Sequence, residues 1–255
     1  MSPATNVPNS STNTPQKGPH QMTTLPHDEP VDHAAWWRRP CWVTTQLIIT
    51  GDLHPDRTLA AAQLQHWADL GVTHIADLRG EWSDETFVSQ LQPAMTYLHL
   101  PTHDNGGHQE DSWFSTSVAH ITDIIRANEI NIVVLHCHMG VNRAPSLALA
   151  VLLELGWSVT GALSAIREAR PIAGILYAEQ AVDWSTRHRG LPDEIRRRDR
   201  EAARRWLAEH PVNVAWIISR IRRAERSAHH YATHRKNHVN PPGLGTADGT
   251  YGVAV

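Results

Sequence analysis

Cysteine is scarce: the 255 residues contain only Cys41 and Cys137. That excludes a disulfide framework and argues against a multi-cysteine zinc site. Lysine is as rare, with only Lys17 and Lys236, so almost all the positive charge is arginine. No run of 18 apolar residues occurs, and a bilayer span needs about 20. The N-terminus also lacks the apolar stretch of a secretory signal peptide. A reducing, cytoplasmic setting is therefore expected. Aromatic residues are missing from residues 1–35, which hold six prolines and many small polar side chains. Such a segment buries too little apolar surface to offset the entropy of ordering, so it reads as disordered. Residues 236–255, with Pro241, Pro242 and four glycines, read the same way.

What is present is unevenly distributed. The formal charge of −3 conceals a net of −10 over residues 1–186 and +8 over residues 187–236. Between about 42 and 189 strand-like and helix-like stretches alternate. Trp42–Thr50 is a β-branched run ended by Gly51. Pro55-Asp56 resembles a helix start, with Leu59, Leu64, Trp67 and Leu70 following at roughly helical spacing until Gly71. Val72–Leu78 and Met95–Leu100 have strand character, and Phe114, Val118, Ile121 and Ile125 share one face of a helix over about 112–128. Ile132–Leu135 is continuously apolar, as in a strand covered on both faces. Pro145–Leu155 is apolar nearly all round, and helices over about 158–169 and 175–188 follow. This alternation predicts an α/β domain over 36–190, with a mostly parallel central sheet flanked by helices. Asp193–His210 and Val212–His230 then read as two arginine-rich helices, a C-terminal helical extension over 191–235. Its apolar stripe would be Trp206, Leu207, Val212, Trp216, Ile217 and Ile221.

The chemistry concentrates in His136-Cys137-His138-Met139-Gly140-Val141-Asn142-Arg143-Ala144-Pro145-Ser146. A cysteine ends a buried strand, five residues intervene, and an arginine opens a helix. Backbone N–H groups of His138, Met139, Gly140, Val141, Asn142 and Arg143 can curl around an oxyanion, and the helix N-terminus adds partial positive charge. Gly140 permits the backbone conformation this requires. The planar fork of Arg143 can grip two phosphate oxygens. A field that holds phosphate also favours a thiolate, which makes Cys137 the candidate nucleophile.

At these residues the chain resembles the cysteine-dependent protein tyrosine phosphatases, specifically the compact dual-specificity class. The match is His136-Cys137-x-x-Gly140-x-x-Arg143 with the apolar helix after it. It extends to Ala165–Pro171, similar to the family's Arg-Pro element, and to Leu70–Leu78, similar to the strand before its acid loop. The resemblance implies a phosphotyrosine protein phosphatase-like fold and a reaction through a phosphocysteine, with no metal or cofactor. It also implies a general-acid aspartate some thirty residues before the cysteine. Asp104 fits best; Glu110 and Asp111 are rivals, but Asp111 suits the start of the next helix, where a carboxylate faces free N–H groups. His136 would orient the loop through hydrogen bonds.

One position departs from the family. Its usual Ser or Thr after the arginine, which stabilises the departing thiolate, is here Ala144; Ser146 or water would have to substitute. The expected substrate is a phosphorylated protein. RNA 5′-phosphate or nucleotide hydrolysis is the alternative, because Asn142-Arg143 resembles the RNA 5′-triphosphatase loop, although those enzymes typically lack the acid. Phosphoinositide hydrolysis is weakened by the absence of lysine between Cys137 and Arg143. A phosphate-binding module without catalysis and a rhodanese-like sulfurtransferase, which would need no acid, are the remaining readings. The arginine-rich extension would pack its tryptophans on the core, or alternatively dock acidic partners or nucleic acid. Interleaved Asp193, Glu194, Asp199, Glu201 and Glu209 favour packing.

Overall fold

The computed structural model describes residues 33–239. The expectations for residues 1–32 and 240–255 fall outside the described residues. Five strands form one sheet: β1 (Cys41–Trp42), β2 (Leu47–Thr50), β3 (His74–Arg79), β4 (Thr96–Thr102) and β5 (Val133–His136). Their spatial order is β1-β2-β5-β3-β4, and all pairings are parallel except β1 with β2. The expected single strand over 42–50 is therefore a hairpin. Residues 43–46 form its turn, closed where the Val43 N–H donates to the Leu47 carbonyl at 2.8 Å. β4 runs through Pro101, which an edge strand tolerates because one side of its ladder is unpaired.

Side chains alternate across the sheet as the two-residue period requires. Leu47, Ile49, Ala76, Leu78, Val133 and Leu135 enter one core, while Ile48, Ile75 and Val134 enter the other. The second core is covered by α1 (Arg57–Asp69) and α2 (Glu85–Leu91). Asp56 caps α1, accepting N–H bonds from Thr58 at 2.9 Å and Leu59 at 3.2 Å, and Gly71 leaves it with φ +81°. α2 has no counterpart in the sequence reading: seven residues give too few turns for a periodic signal.

The first core is covered by α3 (Asp111–Ala127), α4 (Arg143–Glu154), α5 (Val159–Ala169) and α6 (Ala178–His188). α4 is buried from Arg143 through Leu153, which explains its all-round apolar sequence. Truncating Leu147, Leu149 or Leu152 to alanine at such a site costs about 2–5 kcal/mol.

The extension forms α7 (Asp193–Glu209) and α8 (Val214–Val239), and the expected single stripe splits between two places. Trp206 and Leu207 pack on the α4 side. Val212, Ile217 and Ile221 join a separate cluster with Trp37, Met139 and Val141, while Trp216 is exposed. On α7, Arg200 and Arg204 pair with Glu179 of α6 at 2.7 Å, and Arg200 reaches Asp183 at 2.9 Å. These solvent-facing pairs orient the helices more than they stabilise them.

Candidate active site

β5 lies between β2 and β3, and its C-terminal end delivers Cys137, which is buried. The chain then makes a loop before α4 begins at Arg143. Every carbonyl from His138 to Asn142 is engaged from outside the loop. Asp52 N–H donates to His138 O at 3.0 Å, Gly174 N–H to Val141 O at 2.7 Å and Ser146 N–H to Asn142 O at 2.9 Å. The Arg170 guanidinium takes the two between, Met139 O at 3.0 Å and Gly140 O at 2.6 Å. No cis peptide is present among the described residues, so each N–H of the loop points opposite the preceding carbonyl. With the carbonyls turned out, the amides converge inward as an anion-binding nest at a helix N-terminus. Gly140 has φ +62°, and a Cβ there would lie 2.6 Å from Thr50 O, so glycine is required on two counts.

Arg143 is clamped where it enters α4. Its two terminal nitrogens donate to the Glu81 carboxylate at 2.8 and 3.0 Å, and Nη1 also reaches Thr102 O at 3.0 Å. Burial opposes the charge, but the bonds to Glu81, with Cys137 and Asp104 nearby, outweigh it and strengthen the hold on the proton. Its Nε is buried with no hydrogen-bond partner among the described residues. Glu81 is itself held because Arg79 ties the ends of its loop together, bonding Asp77 at 2.6 Å and Asp84 at 2.6 Å.

Asp104 sits over this loop. Its Oδ1 accepts from Asn142 Nδ2 at 2.7 Å and from Tyr177 Oη at 3.0 Å, and its Oδ2 lies 3.5 Å from Arg143 Nε. Its rivals are placed otherwise. Asp111 opens α3 and binds Arg187 of α6 at 2.7 Å, and Glu110 is the residue before that helix.

Two expectations are corrected. His136 makes no ring hydrogen bond among the described residues. Burial pushes its pKa down to about 4, only partly countered by Asp77 at 3.7 Å, so it supports the loop by neutral packing beside Trp67. Ser146 does not stand in for the missing hydroxyl: its Oγ bonds Asn142 Oδ1 at 3.3 Å and accepts from Tyr177 N–H at 3.3 Å. Met139 and Val141 contribute backbone only, since their side chains face Ile217 and Ile221.

His138 contacts α8. Its Nε2 lies 3.1 Å from Glu225 and 3.9 Å from Asp52, and its ring meets Trp82 edge-on at 5.8 Å. Arg38 closes the group, 2.9 Å from Asp52 and 3.8 Å from Glu225. Burial pushes Asp52 up to about 6 despite that arginine. The Glu225 bond raises the pKa of His138 above its ordinary 6.5, although burial opposes it. Glu225 is shifted below 4.5: burial pushes it up, but the bond and charge of His138 together with Arg38 and Arg222 outweigh that. A raised histidine contributes stability fully present below 6.5 and lost as pH climbs through the folded-state value. The lowered glutamate contributes above 4.5. Glu225→Gln should therefore lower stability by about 1 kcal/mol, discounted for partial exposure, between pH 5 and 6.5. The loss should fade by pH 9. Thermal melts of both proteins at pH 6 and pH 9 check this; an equal gap at both would refute the ion-pair account.

Sequence reasoning missed Glu81, Tyr177, Asp52 and Glu225, and it quoted Arg170 without a role. The available signal was weak: charged residues cluster at the end of β3, in Asp77-Leu78-Arg79-Gly80-Glu81.

Comparison with known proteins bears on the family and the fold. Residues 58–182 match the family model described as dual specificity phosphatase, catalytic domain. A mouse putative dual specificity phosphatase complexed with zinc tungstate has a similar fold, at 18% identity and TM-score 0.50 over 66% of this chain and 99% of that one. Human DUSP28 aligns at 19% identity and TM-score 0.47, over 59% and 95% of the two chains. Human tyrosine phosphatase-like serine/threonine/tyrosine-interacting protein aligns at 17% and 0.46, over 59% and 98%. A comparison with curated protein sequences finds no match. With the cysteine–arginine loop inside the matched span, residues 58–182 of this chain carry a dual specificity phosphatase catalytic domain.

Proposed function

We propose that this phosphatase hydrolyses phosphate esters on protein side chains, with Cys137 as nucleophile, Arg143 as phosphate clamp and Asp104 as general acid. The observation that carries the reading is the outward anchoring of every loop carbonyl from His138 to Asn142, with Asp104 tied to the same loop through Asn142. In the first step the Cys137 sulfur attacks phosphorus. The S–P bond forms as the ester P–O bond breaks, and the Asp104 proton passes to the leaving oxygen. In the second, Asp104 takes a proton from water, the water oxygen bonds phosphorus, and the thiolate departs, leaving inorganic phosphate.

The protein-ester preference draws on the surroundings. Trp82 and Leu176, 46% and 55% exposed, both stand beside the loop, Trp82 against His138 and Leu176 bonded through its N–H to Asn142. An apolar rim suits a peptide or an aryl ring better than a polyanionic nucleotide. Asn142, the residue shared with the RNA 5′-triphosphatase loop, spends its amide on the acid that those enzymes typically lack. A docking role for acidic partners would fall mainly to Arg222, Arg223 and Arg226, exposed on α8, because Arg200 and Arg204 are engaged by α6.

Ala144 leaves the departing thiolate of the second step without a hydroxyl donor, and the Ser146 proton is committed to Asn142. Rapid-quench kinetics with p-nitrophenyl phosphate should therefore show a burst of nitrophenolate approaching one per site. Ala144→Ser should remove the burst and raise steady-state turnover about tenfold or more. A linear progress curve from the first turnover would contradict slow phosphoenzyme hydrolysis. The acid assignment has its own check with phenyl phosphate. Asp104→Asn should lower kcat about 10²-fold, while Asp111→Asn leaves it unchanged. The reverse pattern would overturn the assignment.

A further inference from the structure

The segment Gly174-Ile175-Leu176-Tyr177 runs along the phosphate loop and bonds it at successive residues. Gly174 N–H donates to Val141 O at 2.7 Å, Leu176 N–H to Asn142 Oδ1 at 2.8 Å and Tyr177 N–H to Ser146 Oγ at 3.3 Å. Between them Ile175 adopts φ 52°, the only positive φ outside glycine among the described residues. For a β-branched side chain that conformation is a genuine outlier, disfavoured by about 1–3 kcal/mol, and such strain clusters where surrounding contacts over-determine the backbone. Its consequence is local. The turn carries the chain from the back of the loop to its mouth and brings the Tyr177 hydroxyl to Asp104, although the ring is 1% exposed.

Building on the reading of Asp104 as proton donor, we propose that Tyr177, acting with Asn142, is a positioning residue that selects which oxygen of Asp104 carries the proton. Both donors converge on Oδ1. An oxygen already accepting two hydrogen bonds is a poor place for a proton, so the proton resides on Oδ2. Oδ2 is the oxygen that faces Arg143 Nε at 3.5 Å, on the side where the clamp holds the ester. Burial and the Asp104 carboxylate raise the Tyr177 pKa, which keeps its hydroxyl protonated and a donor throughout the working pH range. Asn142 completes the arrangement because its carbonyl oxygen is occupied by Leu176 N–H and Ser146 Oγ–H, which orients its amide nitrogen toward Asp104. The acid is thus aimed by the phosphate loop itself and by the segment bonded to it.

The test is the dependence of kcat/KM on the leaving group. General acid catalysis matters most for poor leaving groups, so a series of aryl phosphates running from acidic fluorinated phenols up to phenol, pKa ~10, separates aiming from folding. Wild type should be nearly insensitive to the leaving group, and Asp104→Asn should show a steep decline toward phenol. Tyr177→Phe, which keeps the buried ring, should fall between. It should lose about tenfold on phenyl phosphate and less than about twofold on the most activated ester. The double variant should match Asp104→Asn alone, since Tyr177 acts only through that carboxyl. An equal loss across the series in Tyr177→Phe, or none, would overturn the role of Tyr177 while leaving Asp104 as the acid. A series for Asp104→Asn as flat as wild type would remove the acid reading itself, and the positioning role with it.

Discussion

Cys137→Ser should reduce turnover of any phosphate ester to the uncatalysed level, yet leave the fold and oxyanion binding in place. The two halves of this expectation come from different parts of the site. Binding is built by backbone amides whose direction is set by Asp52, Arg170, Gly174 and Ser146 acting on the loop carbonyls, and by Arg143 held on Glu81. None of those contacts uses the sulfur. Catalysis needs an ionised nucleophile, and a serine hydroxyl at this position has no base to take its proton. The adjacent His136 is boxed into the core, and Asp104 enters the first step carrying the proton it gives to the leaving oxygen, so it takes none from the nucleophile. The exchange of sulfur for oxygen changes a buried volume slightly, so stability should move by no more than about 1 kcal/mol. Turnover of p-nitrophenyl phosphate and titration with tungstate, followed through the fluorescence of Trp82 beside the loop, give the two readouts. Tungstate affinity should remain within about threefold of wild type, because the preorganised amides supply most of the interaction. Residual turnover well above background would place the nucleophile elsewhere.

The parts legible in the sequence are those written in contiguous residues. The strand–loop–helix of 133–154 announces itself through an apolar run, a glycine and an arginine at fixed spacing, and the structure builds it in that order. Asp104 could be ranked above Asp111 because a carboxylate at a helix start has an independent purpose, to which Asp111 adds its pair with Arg187. What escaped the sequence depends on pairs far apart in the chain. Glu81 finds Arg143 across 62 positions, Tyr177 finds Asp104 across 73 and Glu225 finds His138 across 87. No local pattern encodes such meetings; they follow from the strand order and from α8 crossing the loop. The same reasoning explains the two errors of role. His136 and Ser146 carry groups that can hydrogen-bond, but their directions are set by packing: His136 points into the α1 core beside Trp67, and Ser146 faces Asn142 and Tyr177.

Arg170→Met is the substitution expected to combine the largest loss of stability with a near-complete loss of activity. Arg170 is 1% exposed and donates to four backbone carbonyls, Gly140 and Trp37 at 2.6 Å, Met139 at 3.0 Å and Arg39 at 3.3 Å, and also to the Cys41 sulfur at 3.4 Å. Methionine fills much of the volume but leaves the Met139 and Gly140 carbonyls without a donor in a space too closed for water. Trp37 O keeps the Gly51 N–H at 3.0 Å, and Arg39 O keeps the Cys41 thiol at 3.4 Å. Each orphaned buried carbonyl costs about 1–3 kcal/mol, so the total should reach roughly 3–5 kcal/mol after partial relaxation. The effect on catalysis is separate. Released from Arg170, the carbonyls of Met139 and Gly140 are free to rotate, and a peptide that flips replaces an inward N–H with an inward C=O. Removing a single oxyanion donor typically costs 10²–10³ in rate, and a reversed dipole repels the anion as well, so kcat/KM should fall by about 10³ or more. Should Arg170→Met fail to fold, Arg170→Lys gives a milder version. It keeps the charge but cannot bridge Met139, Gly140 and Trp37 at once, because lysine is a point donor on a flexible stem. It should fold with a smaller stability loss and still lose about 10² in kcat/KM, with tungstate affinity falling in parallel. A lysine variant that is destabilised yet binds tungstate and turns over as wild type would show that the loop keeps its carbonyls outward without this brace.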